Sequence, residues 1–206
     1  MNTSLDQLPI NLFDLVVILV LAAGIYRGRR HGMSEELLGL CTWLAILFGC
    51  AALYQPGAEL LGQFTSMFGR LSLYLMAYVG AALLILLLFV GIRRALGGKL
   101  LGSDIFGRSE YYLGMASGLV RCTCILLAAL ALLNARYFSP TEVRAMEKFQ
   151  DDVYGSNFFP TLQSLQSTVF DKSLTGPWIK RNLDFLLIKP TEPEKRELHK
   201  KDAVFP

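Results

Sequence analysis

Charge is what this sequence has least of where a soluble protein needs it most. Only 18% of its 206 residues are charged, and residues 1–133 hold nine Lys and Arg and seven acids, against eleven and ten in residues 134–206. A water-soluble domain spreads charge over its whole surface, so that pattern excludes one for the first two-thirds of the chain. Histidine is nearly missing: His31 and His199 are the two present, and neither has companions that suggest a metal or a catalytic dyad. The four cysteines, Cys41, Cys50, Cys122 and Cys124, lie inside apolar runs without the C-x-x-C spacing or partner histidines of a metal site. They read as small helix-packing residues. No phosphate-loop, dinucleotide-loop, G-x-S-x-G or Ser/Lys arrangement stands out, so no enzyme activity and no cofactor are expected. The net charge of +3, with no basic stripe interleaved with aromatics, leaves out nucleic acid as a partner. Residues 1–10 hold no Lys or Arg. The positive region of a cleaved signal peptide is therefore missing, and the first apolar run reads as a retained helix.

What the sequence has instead is long greasy runs. Hydrophobic residues make up 53% of it, and the mean hydropathy is +0.42. Residues 11–26 are apolar except for Asp14, and Leu8 and Ile10 can extend that run. Residues 37–58 and 71–92 carry no charge, and residues 111–133 are apolar except for Arg121. A bilayer core of about 30 Å needs roughly 20 helical residues. A chain this size cannot bury four helices that are apolar all round, so lipid is the simpler solvent. The fold expected is an all-α polytopic membrane protein: a four-helix transmembrane domain at 1–135, short amphipathic helices outside the membrane or on its surface at 136–188, and a disordered tail at 189–206.

Orientation follows from Lys and Arg in the short connections. The first connection holds Arg27, Arg29 and Arg30, the third holds Arg93, Arg94, Lys99 and Arg108, and the middle one holds only Arg70. The first and third are therefore expected at the cytoplasmic face, as topology anchors touching lipid headgroups. Both termini are then expected outside the cytoplasm. In the tail, Ser139-Pro140-Thr141-Glu142 is a capping box with Pro at the first helical position, predicting a helix to about Val153. Phe159, Leu162, Leu165, Val169 and Phe170 recur at helical spacing. After Gly176-Pro177, a third segment places Trp178, Ile179, Leu183, Leu186 and Leu187 on one side. These segments are expected either on the outer membrane surface or packed on the bundle.

Asp14 and Arg121 are the charges well inside the runs. A charge at that depth costs a few kcal/mol unless paired or wetted. Two readings are open: the two pair with each other, or each is solvated separately. Gly24, Gly28 and Gly32 repeat every fourth residue, as do Gly114 and Gly118. Such stripes let helices approach closely and favour contact between the first and fourth helices. Glu35 and Glu36 open the second helix, where negative charge suits the positive dipole end and can neutralise the nearby arginines.

These residues resemble a known family. Asp14, then Gly28-x-x-x-Gly32-x-x-x-Glu36-Leu37 with Trp43 seven residues after the Glu, is similar to the first hairpin of the colicin V production (CvpA) family. Leu113-Gly114-x-x-x-Gly118-Leu119-Val120-Arg121 is similar to that family's fourth-helix motif, close to D-R-x-x-G-x-x-x-G-x-x-R-G. Glu110, Tyr111 and Cys122 depart from it. The resemblance spans roughly residues 10–170. It implies a bacterial inner-membrane protein tied to colicin V production or export and to the cell envelope. The function expected is a non-enzymatic accessory or scaffold in toxin production, secretion and envelope homeostasis. The alternative is an oligomeric small-solute transporter or channel subunit with Asp14 and Arg121 on a polar path. The partners expected are the lipid bilayer, a membrane or secretion protein, and further copies of the chain.

Overall fold

The computed structural model describes residues 11–64, 68–96, 109–154 and 161–191. Among these residues the architecture is helical: α1 (Leu12–Phe64), α2 (Arg70–Leu96), α3 (Glu110–Asn134), α4 (Pro140–Tyr154), α5 (Leu162–Phe170), α6 (Thr175–Asn182) and a closing 3-10 turn (Asp184–Leu186). Lys99, Arg108, Phe159 and most of the tail beyond Lys189 lie outside the described residues.

The helix α1 is broken at Gly32, whose backbone sits at φ 75°, ψ 173°. That region is open almost only to a residue without a Cβ. It divides α1 into α1a (12–31) and α1b (33–64), and the register shows that the chain reverses there. Gly24, Gly28 and Gly32 abut Gly118, Gly114 and Glu110 in antiparallel order. Glu36 and Gly39, just past the break, lie back against Arg121, whereas a straight helix would carry them away from it. The helix α2 runs antiparallel to α1b, with Gly62 facing Leu73, Gly57 facing Ala77 and Gly49 facing Ile85. The result is an up-and-down bundle. The Gly32 turn, Arg93 and Arg94 at the end of α2, and the start of α3 share one end. Leu12, Phe64, Arg70 and Asn134 share the other.

Three stretches are long and apolar enough to cross a membrane: Glu36–Phe64, Arg70–Ala95 and Glu110–Asn134. The α1a segment is not among them. It is about 30 Å long at 1.5 Å per residue, but it carries Asp14 near one end and Arg27, Arg29 and Arg30 at the other.

The packing is that of a protein dissolved in lipid. Large apolar side chains face outward: Leu15, Ile18 and Leu19 on α1a, Phe48 and Leu53 on α1b, and Leu83, Leu84, Leu87 and Leu88 on α2. Small residues close the interior, with Cys50 and Ala131 fully buried. Lipid tails give no hydrophobic drive between helices, so close approach of small residues holds them together.

The core grows larger toward the tail end. Ile46, Leu47, Cys50, Tyr54, Tyr78, Leu127 and Leu130 pack there, and Val169, Phe170, Ile179, Leu187 and Ile188 continue the same cluster. The segments α5, α6 and the 3-10 turn thus pack on the end of the bundle. Asn134 Nδ2 donates to the Ile188 carbonyl at 3.0 Å. Thr191 N donates to the Ala135 carbonyl at 2.9 Å, and Tyr137 N to the Thr191 carbonyl at 3.1 Å. Around the start of α4, Glu142 N donates to Ser139 Oγ at 3.3 Å and Ser139 N to Glu142 Oε2 at 3.5 Å, the reciprocal cap written in the sequence.

Two apolar stripes read from spacing are divided in the structure. Leu162 and Leu165 are about half exposed while Val169 and Phe170 are buried. Trp178 is 61% exposed although Ile179, Leu186 and Leu187 are buried. The reason is length: α5 has nine residues and α6 has eight, too few for one stripe to meet one partner, and the chain bends between them. At that corner Gly176 N donates to Ser173 Oγ at 2.8 Å, and Ser173 Oγ to the Val169 carbonyl at 2.5 Å.

Candidate functional site

The arginine-rich end of the bundle is organised around one carboxylate. Glu36 is 3% exposed. Its Oε2 accepts from Arg121 Nη1 at 2.5 Å, and its Oε1 from Arg27 Nε at 3.3 Å. One acid from α1b thereby ties together an arginine of α1a and an arginine of α3. The glycine seam makes this geometry reachable. A Cβ on Gly24 would lie 2.7 Å from the Gly118 carbonyl oxygen, and one on Gly114 would lie 2.5 Å from that of Gly28. With the backbones in contact, Arg121 can extend past the seam to α1b, where Gly39 leaves room: a Cβ there would be 3.5 Å from Arg121 Nη1. The Arg29 guanidinium lies 5.0 Å from the centre of the Tyr111 ring, a cation–π distance. Tyr111, a departure from the family motif, thus holds a cation in place on α1a. Ser34 and Ser117 hydroxyls are buried without a hydrogen-bond partner among the described residues.

Asp14 sits at the other end and does a different job. It is buried, and its carboxylate accepts from four donors. Asn11 N lies 3.0 Å from Oδ2 and Leu174 N 3.0 Å from Oδ2; Thr175 N lies 3.1 Å and Thr175 Oγ1 2.7 Å from Oδ1. It closes the first turn of α1a and also covers the amides that open α6. A single negative charge at two helix N-termini complements both positive dipole ends. Asn11 Nδ2 adds a bond to the Thr168 carbonyl at 3.2 Å.

Asp14 and Arg121 therefore do not pair. The seam register puts Asp14 level with Ala128, seven residues or about 10 Å along α3 from Arg121. Each charge has its own partners, so a shared polar path through both is not what the geometry builds. Glu36, Arg27 and Arg121 meet. Arg29 and Arg30 flank them, Arg93 and Arg94 stand exposed at the same end, and the five glycines form the seam. The spacing of charges did not reveal Asp14's contacts with Leu174 and Thr175, because those donors are backbone groups and a hydroxyl 160 residues or more away.

Asp14→Ala removes caps from two helices. We expect a loss of about 1–2 kcal/mol and faster proteolysis within residues 161–191 of the detergent-solubilised protein, with α3 protected. Cleavage spread equally over the bundle would contradict this role.

A bundle with lipid-facing apolar side chains, a bare-backbone seam and an ion cluster at one end defines a polytopic α-helical membrane protein. The Colicin V production protein family matches residues 13–167, and the chain belongs to that family. Neither a curated protein nor a solved structure matches it.

Proposed function

We propose that this chain is a four-crossing inner-membrane protein whose role is non-enzymatic: an accessory or scaffold in toxin production, secretion and envelope upkeep. In this reading α1a is the first crossing, and the Gly32 turn and Arg93 and Arg94 face the cytoplasm. The helices beyond Asn134 sit outside the cytoplasm, with α5, α6 and the 3-10 turn on the bundle end. The observation that carries the reading is how the membrane-depth charges are used. Arg121 is bound to Glu36 and Asp14 to the opening of α6, so both charges lock elements together and neither stands free to pass a solute along. The family membership supports the link to colicin V production. Leu174, Trp178 and Phe185, each more than 60% exposed, give the docked tail an apolar face for a membrane or secretion partner.

The test is a pair of measurements on full-length protein. Liposomes containing it should show no solute flux above empty liposomes, and mild-detergent purification from its own cells should recover a secretion or envelope protein. Alanine at Trp178 and Phe185 should lower that recovery several-fold while leaving the amount of protein in the membrane unchanged. Solute flux abolished by Arg121→Gln would favour an oligomeric small-solute transporter instead.

A further inference from the structure

We infer that the groove between α4, the connection at 136–138 that precedes it and the start of α5 holds one anionic phospholipid, its phosphate on Arg136 and an acyl chain along α4. The inference rests on the membrane reading above. The groove has a volume of about 350 Å³, with Phe138, Met146, Phe149 and Leu162 forming its apolar wall. That volume takes the phosphate end and part of one acyl chain, with the rest of the lipid in the bilayer outside the groove. Met146 and Phe149 are 38% and 62% exposed, so the apolar floor is open.

The polar end of the groove is Arg136. Its backbone is held on both sides: Gln166 Nε2 donates to its carbonyl at 3.0 Å, and its residue pairs with Thr191 in a parallel bridge. Its guanidinium lies 4.6 Å from the centre of the Phe138 ring. Its Nε is buried with no hydrogen-bond acceptor, and no carboxylate forms a salt bridge with it among the described residues. A guanidinium with an unmatched N–H, stacked on an aromatic and opening onto an apolar trough, fits a ligand with an anionic head and an apolar tail.

Position selects the lipid. Arg136 follows the last residue of α3, Asn134, by two positions. It therefore stands where a membrane-crossing helix reaches the headgroup layer. Tyr137 beside it is exposed, as aromatics at that level are. Of the groove's polar residues, Arg136, Gln150 and Thr161, Arg136 is the one that carries a positive charge, and Thr161 Oγ1 accepts from Ser164 N.

The experiment uses full-length protein in nanodiscs containing a photoactivatable phosphatidylglycerol, with lipid carry-over read by native mass spectrometry after transfer to detergent. We expect one phosphatidylglycerol retained per chain in preference to phosphatidylcholine, with adducts mapping to Phe138, Met146, Phe149 or Leu162. Arg136→Gln should reduce retention about tenfold, the loss of one charge-assisted bond. Arg136→Lys should keep part of it, and Arg144→Gln on α4 should change nothing. Equal retention in the Arg136→Gln protein overturns the proposal, as do adducts confined to α2. Full competition by inorganic phosphate or glycerophosphoglycerol would make this a simple anion site and overturn the lipid assignment. If the protein sits in the nanodisc but fails these tests, the lipid site alone falls. If it does not enter the nanodisc, the membrane reading falls with it.

Discussion

Gly28→Ala is expected to destabilise the protein by about 2–3 kcal/mol, opposite in sign to the usual effect of this substitution in a helix. Ala is normally better than Gly in a helix interior by about 1 kcal/mol. Here the added Cβ would run into the Gly114 carbonyl oxygen, and would lie 2.8 Å from the Gly114 carbonyl carbon and 3.1 Å from Gly118 Cα. All three atoms are backbone, so relief requires α1a and α3 to separate. Overpacking of this kind costs roughly 1–3 kcal/mol. Separating the helices would also lengthen the reach from Arg121 to Glu36, which places the effect at the upper end. Gly80→Ala and Gly91→Ala on α2 are the controls. Nothing lies within 4 Å of a Cβ at either position, so each should be neutral or stabilising. Thermal unfolding in detergent reads the contrast, and a Gly28→Ala melting temperature at or above that of Gly80→Ala would refute the seam.

Arg121→Ala should cost about 3 kcal/mol or more. Removing one member of a buried ion pair leaves the other charge poorly compensated, and such losses run at roughly 3–5 kcal/mol. Among the described residues Glu36 would keep the Arg27 ion pair, whose arginine side chain is 57% exposed and approaches at 3.3 Å. Arg27→Ala removes a solvent-screened contact and should cost less than about 1 kcal/mol. The double variant Glu36→Gln with Arg121→Met removes both charges, so it should be more stable than Arg121→Ala alone. Additive losses in that double variant would show that Glu36 and Arg121 do not act as a pair. Membrane abundance and melting temperature together measure the series.

Hydrophobic run length made most of the bundle legible in the sequence. The apolar stretches reach 58, 92 and 133, and the helices end at Phe64, Leu96 and Asn134, at or a few residues past each. The glycine stripes pointed to the contact of α1a with α3, since a period of four on each helix leaves backbone bare on one face. Ser139 and Glu142 announced the start of α4 because a capping box is local. The pairing of charges was less legible. Asp14 and Arg121 share a need for neutralisation, but the choice of partner depends on where Gly32 reverses the chain. That reversal brings Glu36 under Arg121. It also leaves Asp14 at the far end, facing amides of α6 that no side-chain pattern marks. Trp178 followed the spacing of its neighbours yet points outward, because a helix of eight residues ends before a stripe is fixed.

The account depends on α1a crossing the bilayer and the chain turning back at Gly32. Single cysteines at Asn11, Arg30, Phe68 and Arg94, introduced after the four native cysteines are replaced, can be labelled in intact cells with a membrane-impermeant maleimide. The account predicts that positions 11 and 68 react from outside, and that 30 and 94 react only after the membrane is permeabilised. Labelling of 11 and 30 from the same side would contradict it.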